Sequence, residues 1–202
     1  MNSTPTAAAT PAAATGPHRA ELRGRATGTG VMACFALGWT AAGVSPMPLT
    51  AGRVLFAVAV VITAAFAVLA ARMSRRAALA PTGGEPSTER KRTVGRRFAL
   101  VFGAEVIAIV AIAWILGTTG HSQTIAALTA AAVGIHFFPL ARLFGVRAYH
   151  VTGAALCVFA AAAALLAPLT STPALWTLLP GFGSALTLYA TSAHLLRTES
   201  PA

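Results

Sequence analysis

"RVLFAVAVVITAAFAVLAAR", residues 53–72, holds eighteen uncharged residues between two arginines, with Thr63 as their one hydroxyl group. A helix rises 1.5 Å per residue, so about 20 apolar residues cross the ~30 Å hydrocarbon core of a bilayer. The stretch therefore reads as a transmembrane span. Comparable runs recur on both sides of it, and six spans fit the chain: 28–45, 53–72, 98–117, 122–141, 149–169 and 173–195. The expected fold class is all-α, a polytopic transmembrane helix bundle. Composition agrees: 56% of residues are apolar, 10% are charged, and the mean hydropathy is +0.71. Soluble domains carry about 25% charged residues, enough to cover a water-facing surface.

The charges set the expected topology. Asp is absent, and fourteen of the fifteen basic residues are Arg. In a soluble protein a net charge of +10 suggests nucleic acid. Here the basic residues sit at span ends, so no nucleic acid is expected. Arg19, Arg23 and Arg25 precede span one. The segment between spans two and three, with its flanks, holds Arg72, Arg75, Arg76, Arg90, Lys91, Arg92, Arg96 and Arg97. Arg142 and Arg147 flank the loop after span four, and Arg197 follows span six. Only Arg53 falls in the alternate loops. The positive-inside rule then places both termini in the cytoplasm of a multi-pass plasma-membrane protein.

Residues 1–27 are rich in Ala, Thr and Pro and lack the basic and apolar regions of a cleaved signal. They are expected to form a disordered cytoplasmic tail. Residues 28–195 form the membrane domain, with a cytoplasmic loop at 73–97, and residues 196–202 a short tail. In that loop "PTGGEPS" reads as a linker and "ERKRTVGRR" as a basic run. Such a run attracts anionic headgroups by ~1 kcal/mol per basic residue near the surface. The bilayer is thus the expected partner; no protein partner is indicated.

Cys34 and Cys157 lie within spans and lack zinc-site spacing, so neither a metal nor a cofactor is expected. Each belongs to a row of small residues repeating every four positions: Gly30, Cys34, Gly38 and Ala42 in span one, and Gly153, Cys157 and Ala161 in span five. Ala126, Ala130 and Gly134 make a third row. Small residues on one face let helix backbones approach closely, and each row is expected to pack. "TG-x3-C" occurs in both spans one and five.

Two ionisable residues lie well inside spans. Glu105 is the one acidic residue there, and His136 the one deep histidine. A charge at mid-membrane costs ~2.5–3.5 kcal/mol on insertion scales, so each needs a partner. Glu105 lies eight residues from Arg97, roughly 12 Å along a helix, and His136 six from Arg142, roughly 9 Å. On consecutive antiparallel spans the two are expected within reach of each other. Ser122, Thr129 and His136 share one face of span four, and Ser184, Thr187, Thr191 and His194 recur along span six. The candidate polar core comprises Glu105, His136, Thr129, Ser184, Thr187 and Thr191. Pro139 frees the carbonyl of Ile135, and Pro180 with Gly181 occurs within span six; these are expected helix breaks. Paired breaks in spans point toward transport sites.

"VGIHFFPLARLF", residues 133–144, preceded by a span carrying Glu, resembles a block in a family of small uncharacterised bacterial multi-span membrane proteins. The resemblance runs through Glu105, Gly134, His136, Phe137, Pro139, Leu140 and Ala141, and it implies no activity. An enzyme is not expected: "GFGSA" matches no serine-hydrolase site, and one buried Glu without Asp cannot assemble a carboxylate metal cluster. The sharper expectation is a proton- or cation-linked small-solute pathway. The alternative is a structural or interaction protein of the membrane that does not transport.

Overall fold

The computed structural model describes residues 19–79 and 87–197. Six helices run in chain order: α1 (Arg19–Val44), α2 (Leu49–Leu79), α3 (Thr88–Thr118), α4 (Ile125–Phe144), α5 (Arg147–Leu169) and α6 (Leu175–Arg197). A 3-10 turn, Ser122–Thr124, leads into α4. No strand occurs among the described residues. Short turns join α1 to α2, α3 to α4, α4 to α5 and α5 to α6, and the arginine-bearing ends of the helices gather at one end of the bundle. There Leu22 and Ala26 of α1 pack with Met73 and Ala77 of α2 and Leu196 of α6.

Five helical segments are long and apolar enough to cross a membrane, so this is a multi-pass helical protein suited to the bilayer. They cover Arg19–Val44, Leu49–Leu79, Thr88–Thr118, Ser122–Phe144 and Arg147–Leu169. The sixth expected span forms α6, which is not among the five. Its sequence, "LWTLLPGFGSALTLYATSAHLLR", is rich in small and hydroxyl side chains. Its surroundings explain the composition: α6 packs against α1, α5, α4 and α2, so protein rather than lipid covers it. Ser184, Ala185, Leu188, Thr191 and Ser192 are all buried.

Helix lengths correct three expected boundaries. Residues 73–97 are not a loop: α2 continues to Leu79 and α3 begins at Thr88. Ala and Arg favour helix, and no breaker occurs in "RMSRRAAL". Ser87 caps α3, its side chain accepting the Arg90 backbone N–H at 3.3 Å, and Glu89 sits in the favourable first turn. The basic run is therefore helical. In the same way residues 19–27 belong to α1 rather than to a disordered tail. Arg25 pairs with Glu21 one turn away, and Leu22 and Ala26 are buried. Residues 196 and 197 complete α6. The rest of the expected tails and linker (1–18, 80–86 and 198–202) lies outside the described residues.

The expected helix breaks are corrected too. Helix α4 runs unbroken through Pro139, and α6 through Pro180 and Gly181. A proline removes one ladder bond, and neither helix ends there. Gly181 serves close contact instead: a Cβ there would stand 2.4 Å from Gly43 Cα of α1.

Of the three small-residue rows, the one in α1 does not pack. Cys34 is exposed, and a methyl group added at Gly30 or Gly38 would meet no atom within 4 Å. The buried seam of α1 is Thr29, Ala33, Ala36, Thr40 and Gly43, displaced around the helix from that row. In α4 and α5 the rows do meet. A Cβ on Gly134 would lie 2.8 Å from the Gly153 carbonyl oxygen, and one on Gly153 would lie 2.6 Å from the Gly134 carbonyl oxygen. Glycine at both positions is what lets these backbones touch.

Candidate functional site

None of the described side chains of α3 is buried, and its packed seams are with α4 and the 3-10 turn that precedes it. No packed seam joins α3 to α1. Between them lies a cleft of 1220 Å³, floored by α4 and α6 and reaching from the arginine end toward mid-bundle. Its body is aromatic and aliphatic: Phe35 and Trp39 from α1, Phe98 and Phe102 from α3, Phe137 and Leu140 from α4, and Leu188 from α6. Arg23, Arg25, Arg90 and His194 line it nearer the arginine end.

Glu105 and His136 also line this cleft. Glu105 Oε2 stands 3.3 Å from His136 Nε2, with the side chains 11% and 8% exposed. The expected approach of the two residues is therefore present in the structure. It arises because α3 and α4 are consecutive and antiparallel, which brings residues of matched depth face to face. The imidazole also meets the Val101 backbone, one turn from Glu105 on the same face of α3. His136 Nδ1 is buried and has no hydrogen-bond partner. Phe137 packs edge-on against the rings of His136 and Tyr149.

The hydroxyl residues do not join this pair. Thr191 Oγ1 lies 2.7 Å from Thr152 Oγ1 of α5 and donates to the Thr187 carbonyl, 2.9 Å away. Thr187 bonds back to Gly183 O at 2.7 Å. Ser184 Oγ is fully buried and unpartnered. Since no packed seam joins α3 to α6, matched depth could not by itself bring Ser184, Thr187 or Thr191 to Glu105. Thr129 faces a second cleft of 530 Å³, with Ser122 and Gln123, beyond the first and toward the opposite end. The expected six-residue core thus divides into a carboxyl–imidazole pair, a Thr152–Thr191 contact and a separate cleft.

Three residues, Phe35, Trp39 and Val133, line both clefts. The two clefts therefore adjoin at these side chains, of which Trp39 is buried and Phe35 is exposed. Neither Phe35 nor Trp39 was expected at a site. Trp39, buried among the small residues of "LGWTAAG", was the available signal. The block around His136 also gains physical content. Gly134 makes the α4–α5 crossing, while Phe137, Leu140 and Ala141 are buried beside the pair. No family model, curated protein or solved structure matches the chain.

Proposed function

We propose that the protein is a proton- or cation-linked pathway of the plasma membrane, with its route between α1 and α3. The observation that carries this reading is that two clefts, one toward each end of the bundle, adjoin at Phe35, Trp39 and Val133. Two half-routes entering from opposite ends, divided by a thin apolar barrier, suit alternating access with small helix movements. Glu105 and His136 lie on the arginine side of the barrier. A carboxyl and an imidazole in contact can share, accept and release a proton where either charge alone would be costly. The bias of fourteen basic residues to one end supports placing that end, with both termini, in the cytoplasm.

Thiol accessibility tests the route. In a variant with Cys34 and Cys157 replaced by Ala, cysteines are introduced singly at Phe102, Thr129 and Ile107. In vesicles of phosphatidylcholine alone, a membrane-impermeant maleimide should label Phe102→Cys from the arginine side and Thr129→Cys from the other. Ile107→Cys, exposed on α3 and lining neither cleft, should stay unlabelled. Protection of both Phe102→Cys and Thr129→Cys would mean dry packing and favour a structural membrane protein.

A further inference from the structure

The arginine-end cleft has a shape and charge that a small soluble ion does not need. We propose that it binds an anionic phospholipid taken sideways from the surrounding leaflet. The headgroup lies by Arg23 and Arg90, and an acyl chain runs along Phe35, Phe98 and Phe102. The inference deepens the pathway reading by naming what enters, and it rests on the cleft being that pathway's entrance.

Four observations converge. The gap between α1 and α3 has no packed seam, so a bilayer molecule reaches the cleft without crossing a helix. The volume, 1220 Å³, exceeds the ~300–1,000 Å³ typical of sites for drug-sized ligands. Between the arginines at its mouth and Glu105 with His136 at its deep end, the lining is mostly apolar and aromatic, a surface that an acyl chain can cover. From Arg23 to Trp39 is sixteen residues of one helix, roughly 24 Å. That exceeds the ~15 Å depth of one leaflet's hydrocarbon and leaves room for a headgroup above it.

Charge selects the headgroup. Arg25 is paired with Glu21. Arg23 and Arg90 line the cleft, one from α1 and one from α3, and their side chains make no hydrogen bond or ion pair among the described residues. A guanidinium group on each wall offers a phosphodiester two charge-assisted donors. A zwitterionic headgroup carries its own cation and gains less. Glu105 lies fifteen residues from Arg90, roughly 22 Å along α3, so the carboxylate is too deep to repel the headgroup.

Trp39 provides the readout, because it is buried in the protein yet lines the cleft. Trp114→Phe and Trp176→Phe leave it as the only indole. The full chain is reconstituted in phosphatidylcholine vesicles containing phosphatidylglycerol or phosphatidylcholine brominated on the acyl chain. Brominated phosphatidylglycerol should quench Trp39 with about ten- to thirty-fold higher apparent affinity than brominated phosphatidylcholine. Adding Arg23→Ala and Arg90→Ala, both at exposed positions, should abolish the preference while the protein stays monodisperse. Equal quenching by the two lipids, no quenching by either, or a preference that survives the arginine substitutions would each overturn the proposal. Vesicle proton flux is measured separately. A lipid preference without flux would sink the pathway and leave the lipid site standing; flux without preference would do the reverse.

Discussion

Thr29-Gly30-x3-Cys34 in α1 and Thr152-Gly153-x3-Cys157 in α5 carry the same residues at the same spacing, yet they meet opposite fates. In α5 the glycine faces Gly134 so closely that neither position has room for a methyl group, and Cys157 Sγ lies 3.8 Å from the Ala131 carbonyl oxygen. In α1 the glycine has open space around it and the cysteine is exposed. The threonines differ in the other direction. Both are buried, but Thr152 shares a hydrogen bond with Thr191, whereas the Thr29 hydroxyl has no partner. A small-residue row is therefore a capacity for close approach. It becomes a contact only where the facing helix presents a complementary row, as α4 does with Gly134.

The sharpest way to break the comparison is to put a large side chain into each copy. Gly153→Leu, or Gly134→Leu from the other side, should cost at least about 3 kcal/mol, because the obstacle is backbone and cannot swing away. Loss of the monodisperse peak and a lowered melting temperature in detergent would register it. Tolerance at both sites would mean that α4 and α5 are not in contact at that crossing.

A smaller effect should separate the threonines, and with opposite sign. Thr152→Val removes the bond to Thr191, which keeps its own bond to Thr187, and should destabilise by about 1 kcal/mol. Thr29→Val removes a buried hydroxyl that has no partner and should be neutral or stabilising. Equal losses in thermal melts of the two variants would show that Thr29 has a partner after all.

Smallest of all should be Gly30→Leu and Gly38→Leu, within about 0.5 kcal/mol of the parent protein. Space is open at both positions, and at Gly38 it is the space of the second cleft. A loss comparable to that of Gly153→Leu would place a second helix, from this chain or another copy, against the exposed face of α1.

The contact of Glu105 with His136 was legible in the sequence because two strong constraints coincide. Depth can be counted from the flanking arginines, and adjacency follows from a short turn between α3 and α4. Thr191 satisfies the depth rule as well, but it belongs to a helix with no packed seam against α3, and its partner is Thr152. The boundaries at 27 and 73–97 were misplaced because hydropathy marks where lipid begins, not where hydrogen bonding ends. α2 has 31 residues, about 46 Å of helix, and so outruns the hydrocarbon. Its projecting turns are held by Leu22, Ala26, Met73 and Ala77.

By itself, the sequence determined that the chain forms helices long and apolar enough to cross a bilayer, with nearly all basic residues at one end, and that Glu105 needs a partner. These follow from transfer energies summed along each segment, which depend on composition and spacing alone. Only the tertiary structure decided which face of α1 is buried, that α6 sits at the centre, and that α1 and α3 leave a cleft ending at Phe35, Trp39 and Val133. Within a bilayer, lipid and a neighbouring helix offer a side chain nearly the same apolar surroundings. Hydrophobicity therefore cannot choose between them, and the choice falls to shape complementarity between two surfaces that only meet in the folded bundle.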